Sequence, residues 1–241
     1  MSTSKKSSSE PDLWCNRPDT TLPLAIADPS EFPTAARVNP PFASPLRVTA
    51  INVKHFSKTP AGDVDRGLLG RDSFAPVLGD SVQVTAHLSR PGYAYLIAFR
   101  PGAPPDLCFP ESEETPPPLT DEPRYPTSQR AEAYELSEGT GLWVFAAIVS
   151  AKPLPPFKTI QADIKRAWIP ASELPPATVW WDDGETRLEQ WPSPGIGSIS
   201  RGKGKTLVGP AKSILQLTDA LRTIGHADSA SSLGFGVTPI Q

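Results

Sequence analysis

Two long apolar runs constrain the fold of this chain more than any other feature. Tyr93–Phe99 (YAYLIAF) and Leu142–Ser150 (LWVFAAIVS) are apolar at nearly every position. A strand with one face in water alternates apolar and polar residues, whereas a strand buried on both faces has a continuous apolar run. Both runs are therefore predicted to be central strands, and their side chains should form the interior of a layered β structure.

The segment before the first run has the alternating pattern. Between Ser81 and Leu88, valine, alanine and leucine alternate with polar residues, which is typical of a strand with one buried face. Ser89–Gly92 supplies the turn to the next strand, since proline presets φ and glycine tolerates positive φ. The buried face of the alternating strand needs a second layer, so this pair predicts a sandwich.

The rest of the pattern predicts shorter elements. Further strands are predicted at Leu46–Phe56, Asp106–Pro110, Ala131–Leu136 and Leu233–Val237, with a polar loop at Ser57–Gly67 and a long surface loop at Glu111–Pro126. Val179–Leu188 predicts a hairpin with a two-residue type I′ turn at Asp183 and Gly184. Helical spacing of apolar residues predicts helices at Phe157–Trp168 and over 210–224. We expect a mainly β chain, an immunoglobulin-like antiparallel β-sandwich with a short packed helix and a C-terminal helix plus strand.

Proline content shapes the domain organisation. The 241 residues include 30 prolines, more than twice the average usage of about 5%, which disfavours long helices. Residues 1–45 are predicted to be a disordered or extended proline-rich segment. We expect a β-sandwich core with its helix and hairpin at 46–191, a flexible linker at 192–209, and a C-terminal helix and strand at 210–241 that pack on the core.

Charge and hydropathy exclude some partners. A net charge of −3 lacks the basic excess that nucleic-acid binding requires. No apolar run is long enough to span a bilayer, and the N-terminus has no apolar leader. The two cysteines, Cys15 and Cys108, suggest no disulfide framework. We expect a cytoplasmic protein without a nucleic-acid partner, membrane partner, cofactor or metal.

Two motifs approach known catalytic or binding patterns without matching them. Gly197, Gly202 and Lys203 have the spacing of a phosphate-binding loop, but Gly204 stands where the hydroxyl is needed and no strand precedes. A solvated linker is expected there. Ser232 lies between a predicted helix and a strand, the reverse of the order in a nucleophile elbow, and is expected to be a loop hydroxyl.

Other titratable residues have simple interpretations. The three histidines, His55, His87 and His226, have no metal-ligand spacing and are expected at the surface. A proline-rich stretch carries acids that could gather calcium, namely Glu111, Glu113, Glu114, Asp121 and Glu122. They lack the glycine and alternating ligands of a tight calcium site, so a solvated acidic loop is expected.

Trp180 and Trp181 are adjacent in a predicted strand, so their rings point to opposite faces. One ring is expected in the core and the other partly exposed. An exposed tryptophan can stack on a sugar or anchor a protein partner, although covering the edge of the sandwich is the simpler role.

Three segments together resemble the bacterial domain of unknown function 4384 family. They are LGDSVQVTAHLSRPGYAYLIAF, LCFPESEETPPPLTDEPRYP and GLWVFAAIVSAKPLPPF, and they contain the family's "GD" strand start at Gly79 and Asp80 and its "LCFP" strand at Leu107–Pro110. The resemblance covers Leu46 to Trp168 and extends more loosely to the hairpin VWWDDGETRLEQW and to the terminal helix and strand. It implies a β-sandwich accessory domain of the kind found beside caspase-like peptidases and protein kinases, without catalytic residues.

These observations predict a non-enzymatic protein-interaction or sensory accessory module of a bacterial signalling or stress-response assembly. Its protein partner would be of the caspase-like peptidase or protein kinase kind. The expected contact residues are Glu111, Glu113, Glu114, Arg124, Tyr125, Trp180 and Trp181. Two alternatives stay open: a carbohydrate or small-ligand-binding sandwich that uses a tryptophan, and a hydrolase that uses Ser232 or a histidine.

Overall fold

The structure is a computed structural model that describes residues 44–113, 116–127, 133–164, 169–192, 197–200 and 209–240. The segment predicted to be extended, except for its last two residues, lies outside these ranges, and so does Glu114. The described chain is mainly β, with two antiparallel sheets, as the sequence predicts. The immunoglobulin-like connectivity stays a prediction.

The smaller sheet is built around a long first strand. Its strands are β1 (Val48–Thr59), β2 (Gly62–Leu68), β3 (Ser81–Leu88), β7 (Arg124–Tyr125) and β8 (Tyr134–Glu135). The strand order is β2-β1-β3-β7, and β8 also pairs with β3. The alternating residues of β3 point their valines and alanine toward the second sheet, where they are buried.

The larger sheet contains both apolar runs. Its strands are β4 (Gly92–Phe99), β5 (Asp106–Phe109), β6 (Leu119–Thr120), β9 (Gly141–Ser150), β10 (Thr178–Asp182), β11 (Arg187–Pro192), β12 (Gly197–Ser200) and β13 (Ser229–Val237). The order is β12-β11-β10-β13-β9-β4-β5, and β6 pairs with β4. The runs form β4 and β9, which are direct neighbours in the sheet. Their prediction as central strands is confirmed.

A layer of helix explains why β4 and β9 are apolar on both faces. One face contributes Leu96 and Phe145 to the core between the sheets, and the other contributes Tyr95 and Ile148 to a second core. This second core includes residues of α1 (Phe157–Asp163) and α2 (Gly209–Ile224). The larger sheet thus lies between the smaller sheet and the helices. Neither of these described helices is long and apolar enough to cross a membrane.

The C-terminal strand β13 is central rather than appended. It pairs with β10 on one side and with β9 on the other. Its Gly234 faces α2, where a Cβ atom would lie 2.6 Å from Cδ1 of Ile214. The missing side chain therefore lets the helix approach the sheet closely.

Several predicted loops contain strands. Ser57–Gly67 was expected to be a polar loop, but β1 continues to Thr59 and β2 pairs with it. β2 is an edge strand, and an edge strand can carry polar residues on both faces. Residues 197–200, within the predicted linker, pair with β11 as β12. The predicted loop at Glu111–Pro126 contains β6 and β7, which join different sheets.

The predicted two-residue turn in the β10–β11 hairpin is wrong. β10 ends at Asp182 and β11 begins at Arg187, which leaves the four residues 183–186 as the connection. The side chain of Asp183 accepts hydrogen bonds from the backbone N–H groups of residues 185, 186 and 187. These hydrogen bonds stabilise a loop wider than a two-residue turn, because a two-residue turn does not contain the N–H groups that the carboxylate binds.

Candidate functional site

Two acidic residues of the proline-rich segment, Glu111 and Glu113, form hydrogen bonds with other parts of the chain. Glu111 accepts hydrogen bonds from the hydroxyl and the backbone N–H of Thr127. Glu113 lies 3.0 Å from Nζ of Lys158 and accepts a hydrogen bond from its backbone N–H. These side-chain and then backbone hydrogen bonds lower the pKa of both carboxyl groups. The two acids therefore attach the segment to its neighbours.

Arg124 and Tyr125 are also engaged. They form β7, Arg124 makes an ion pair with Glu122, and the Tyr125 ring contacts the Tyr134 ring edge-on at 5.6 Å. The expectation that the whole segment is a loop is wrong, because β6 and β7 pair with the two sheets. The contact of Arg124 and Tyr125 with a partner stays a prediction. Glu114 lies outside the described residues.

The two neighbouring tryptophans differ in exposure. The Trp180 ring is 1% exposed, within the core under the helices. The expectation that Trp180 contacts a partner is therefore wrong. Trp181 lies on the other face of β10, half-buried, and packs against the core between the sheets.

Trp181 lines a surface groove of about 200 Å³. We call it the Trp181 groove, and its lining residues are Arg47, Val48, Thr49, Trp181, Asp183, Glu185 and Arg187. Val48 and Trp181 supply its apolar part, and the other side chains are charged or polar. No described residue of the proline-rich segment is among them. The groove is thus formed by β1 with the residues before it, and by the β10–β11 hairpin.

The Trp181 ring is held in place by specific contacts. Its Nε1 donates a hydrogen bond to Oγ of Ser231 at 3.1 Å, and that hydroxyl donates to the backbone oxygen of Asp182 at 2.7 Å. The guanidinium carbon of Arg187 lies 5.3 Å from the ring centroid, a cation–π distance. Arg187 is oriented in turn by Glu189, 2.9 Å from its Nη1.

The hairpin wall of the groove is stabilised by Asp183. Its Oδ1 accepts three backbone N–H groups at 2.9 to 3.0 Å, and its Oδ2 accepts the hydroxyl of Thr186 at 2.9 Å. Burial by itself raises the pKa of Asp183, but these hydrogen bonds outweigh burial, and the pKa lies below its usual range. The loop that carries Glu185 and Arg187 is therefore ordered before any ligand arrives.

The opposite wall is tied to the turn between β3 and β4. The backbone N–H of Arg47 donates to Oγ of Ser89 at 3.0 Å, and that hydroxyl donates to the backbone oxygen of Pro45 at 3.0 Å. The N–H of Val48 donates to Oγ of Ser229 at 3.2 Å. Both walls are thus preformed, as expected for a recognition site.

A second cluster involves a histidine that was expected at the surface. His55 is 3% exposed, so that expectation is wrong. Its Nδ1 lies 2.7 Å from Oγ of Ser73, and its Nε2 lies 2.8 Å from Oδ2 of Asp80. Asp80 also accepts the backbone N–H groups of Val77 and Lys58. A hydroxyl, an imidazole and a carboxylate thus follow one another as in serine hydrolases, but the ring nitrogens are exchanged, because in those enzymes Nε2 faces the hydroxyl and Nδ1 faces the carboxylate.

A wider groove of about 380 Å³ lies beside this cluster. Asp80 lines it together with Val77, Leu78 and Ile240, whereas Ser73 and His55 are not among its lining residues. The groove therefore reaches the carboxylate end of the cluster and not the hydroxyl end.

The other predicted chemical residues lie apart. Ser232 is fully buried within β13, with its Oγ 2.9 Å from Oγ1 of Thr218, so the prediction of a loop hydroxyl is wrong. His87 is half-exposed beside Asn52, and His226 is exposed. Gly202, Lys203 and Gly204 lie outside the described residues. Among the residues that the structure describes, no three His, Cys, Asp or Glu side chains are grouped to hold a metal ion.

Comparisons of the chain with protein-family models, curated proteins and solved structures give no match. The resemblance to the bacterial family therefore stays a prediction. The candidate site rests on the contacts within this chain alone.

The sequence indicated only part of the Trp181 groove. Alternation along β10 separated the two tryptophans, but no local pattern connects Arg47 or Thr49 with the hairpin. No local pattern joined His55, Ser73 and Asp80 either, since His55 lies in β1 and the other two lie in the connection between β2 and β3.

Proposed function

We propose that this chain is a non-enzymatic accessory module of a bacterial signalling or stress-response assembly, that it works in the cytoplasm, and that it recognises its target at the Trp181 groove. The observation that carries this proposal is the preformed setting of Trp181, which is half-buried, hydrogen-bonded through Nε1 and covered by the Arg187 guanidinium. Tryptophan and arginine are the residues most enriched among binding hot spots. The signalling context is supported by the family resemblance.

A protein partner of this module would contact the groove rather than the proline-rich segment. Glu111, Glu113 and Arg124 already form hydrogen bonds or ion pairs within the chain. In contrast, Arg47 and Glu185 are exposed at the groove and make no side-chain hydrogen bond or ion pair with the other described residues. Charges of this kind guide association with a complementary partner.

Blocking the groove tests the proposal. Thr49 is exposed and lines the groove, so Thr49→Trp should fill it without changing the cores. Lys212→Trp, at an exposed position of α2, is the matched control. We expect quantitative capture of native-host proteins to lose its specific partners with Thr49→Trp and keep them with Lys212→Trp. Retention of every specific partner by Thr49→Trp contradicts the proposal.

A second candidate function is a hydrolase, and the cluster of Ser73, His55 and Asp80 favours it. A fluorophosphonate probe tests it directly. If Ser73 is activated, its Oγ forms a bond to phosphorus, fluoride leaves, and the hydroxyl proton passes to His55. Mass spectrometry would then find the adduct on Ser73 and lose it in His55→Ala. An unlabelled Ser73 in the folded protein excludes this candidate. Recognition is preferred because the neighbouring groove reaches Asp80 and not the hydroxyl.

A further inference from the structure

Some charged side chains of the Trp181 groove have partners within the chain, and others have none among the described residues. Asp183 accepts hydrogen bonds from its own loop, and Arg187 contacts Glu189 and the Trp181 ring. Arg47 and Glu185 remain, and no ion pair joins them, so their charged groups lie more than 4.0 Å apart. The groove therefore presents one positive and one negative group without partners among the described residues.

The size of the groove restricts what can bind between these charges. A volume of about 200 Å³ equals the liquid volume of roughly seven water molecules, at about 30 Å³ each. This is below the range of about 300 to 1,000 Å³ typical of drug-sized ligands. A molecule the size of an amino acid fits this space.

We infer that the Trp181 groove binds a small zwitterion of amino-acid size, whose carboxylate contacts Arg47 and whose ammonium group contacts Glu185. The aliphatic part of such a ligand would lie against Trp181 and Val48, the apolar side chains of the groove. A guanidinium is well matched to a carboxylate, and three ammonium donors are well matched to a carboxylate acceptor. This inference rests on the proposal that the groove is a recognition site, and it names the chemistry of the ligand.

Opposite charges on the two sides of the groove distinguish this ligand from other classes. A neutral sugar would leave both charges without a counter-ion, and a dianion would be repelled by Glu185. A zwitterion compensates both. Because the two groups are exposed, each contact contributes modestly, and removing one is expected to weaken binding about two- to fivefold.

A series of ω-amino acids tests the inference on the full chain. Binding of glycine, γ-aminobutyrate and ε-aminocaproate would be measured by saturation-transfer NMR and calorimetry, beside the N-acetylated and the methyl-ester form of each. We expect one chain length to bind best, and both blocked forms to bind at least about twofold more weakly because each lacks one charge. Glucose serves as the neutral probe and is not expected to bind.

Charge variants locate the site. Arg47→Gln and Glu185→Gln should each weaken binding about two- to fivefold, whereas Lys212→Gln and Glu173→Gln, exposed outside the groove, should not. Arg47→Glu combined with Glu185→Arg should restore binding, since a zwitterion can reverse its direction. Equal binding of blocked and unblocked probes, binding of glucose alone, or the absence of binding by every amino acid overturns the inference.

The outcomes for the proposed function are separate. Loss of partners with Thr49→Trp but no zwitterion binding leaves the groove as a recognition site and removes only the ligand class. Zwitterion binding with unchanged partner capture by Thr49→Trp removes the partner proposal and leaves the ligand class standing.

Discussion

The backbone oxygen of Ala230 lies 1.7 Å from the position that a Cβ atom would occupy on Gly184. Gly184 has a φ of +75°, and its own backbone oxygen accepts a hydrogen bond from Nη1 of Arg222 at 3.1 Å. The glycine thus lets the hairpin loop touch both β13 and α2. The loop that carries Glu185 and Arg187 is positioned by this contact.

Gly184→Ala is expected to destabilise the protein by more than about 3 kcal/mol, since the side chain would collide with backbone that cannot move independently. Gly209→Ala is the matched control. Gly209 has a φ of +60°, and no described residue beyond its chain neighbours has an atom within 4 Å of the place that a Cβ would take, so only backbone strain of about 1 kcal/mol is expected. Urea unfolding measures both, and equal effects would contradict the role of the Ala230 contact.

Asp80→Ala should destabilise the protein by about 3 kcal/mol, because it leaves the buried His55 ring and two partly buried backbone N–H groups without an acceptor. Ser73→Ala removes one hydrogen bond at a half-exposed hydroxyl and should cost about 1 kcal/mol. Thermal and chemical unfolding compare the two. A smaller loss for Asp80→Ala than for Ser73→Ala would show that the carboxylate is not the anchor of the cluster.

Asp183→Asn should change how stability depends on pH. The pKa of Asp183 is lowered in the folded protein, so the carboxylate stabilises the fold above the unfolded pKa of about 3.9, and this contribution disappears as pH falls through the lower folded pKa. At neutral pH, the free energy of unfolding of the wild type should exceed that of Asp183→Asn by no more than about 1 kcal/mol, because the loop is near solvent.

Urea unfolding at a series of pH values between neutral and strongly acidic measures this difference. Glu185→Gln is the control, because its carboxylate makes no side-chain hydrogen bond or ion pair with described residues. The two curves for wild type and Asp183→Asn should converge in acid. If the stability difference between wild type and Asp183→Asn grew as pH fell, the Asp183 carboxylate would not be the stabilising form.

Cys108 should be unreactive in the folded protein. Its thiol is 1% exposed, and burial, followed by the nearby charge of Asp106, raises its pKa. Because the thiolate is the nucleophile, a disulfide reagent should label Cys108 only after unfolding. A Cys15→Ser variant makes Cys108 the one thiol measured. Rapid labelling under native conditions would show that β5 opens readily.

The strands that the sequence predicted best are those whose pattern is local. Tyr93–Phe99 and Leu142–Ser150 form neighbouring strands that are buried on both faces, and the helical spacing at 210–224 matches α2. The strands that it missed have mixed composition. β2 lies at a sheet edge and carries Asp63, Asp65 and Arg66, since an edge strand does not need an apolar face.

The candidate site was predictable only in part. Adjacent positions on a strand place Trp180 and Trp181 on opposite faces, but which ring is buried depends on where α2 packs. Asp183 and Gly184 indicated a turn, but the hydrogen bonds of the Asp183 carboxylate set its width. Glu111 and Glu113 had the composition of a solvated loop, and their contacts with Thr127 and Lys158 became visible only in three dimensions.

The sequence by itself determined the mainly β class and its two innermost strands, because the spacing of apolar residues along a strand reports directly which faces avoid water. Tertiary structure decided which side chains meet. Arg47 comes to the hairpin of Trp181, and His55 comes between Ser73 and Asp80, through strand pairings between distant parts of the chain. Such pairings depend on the packing of whole sheets, which no local pattern encodes.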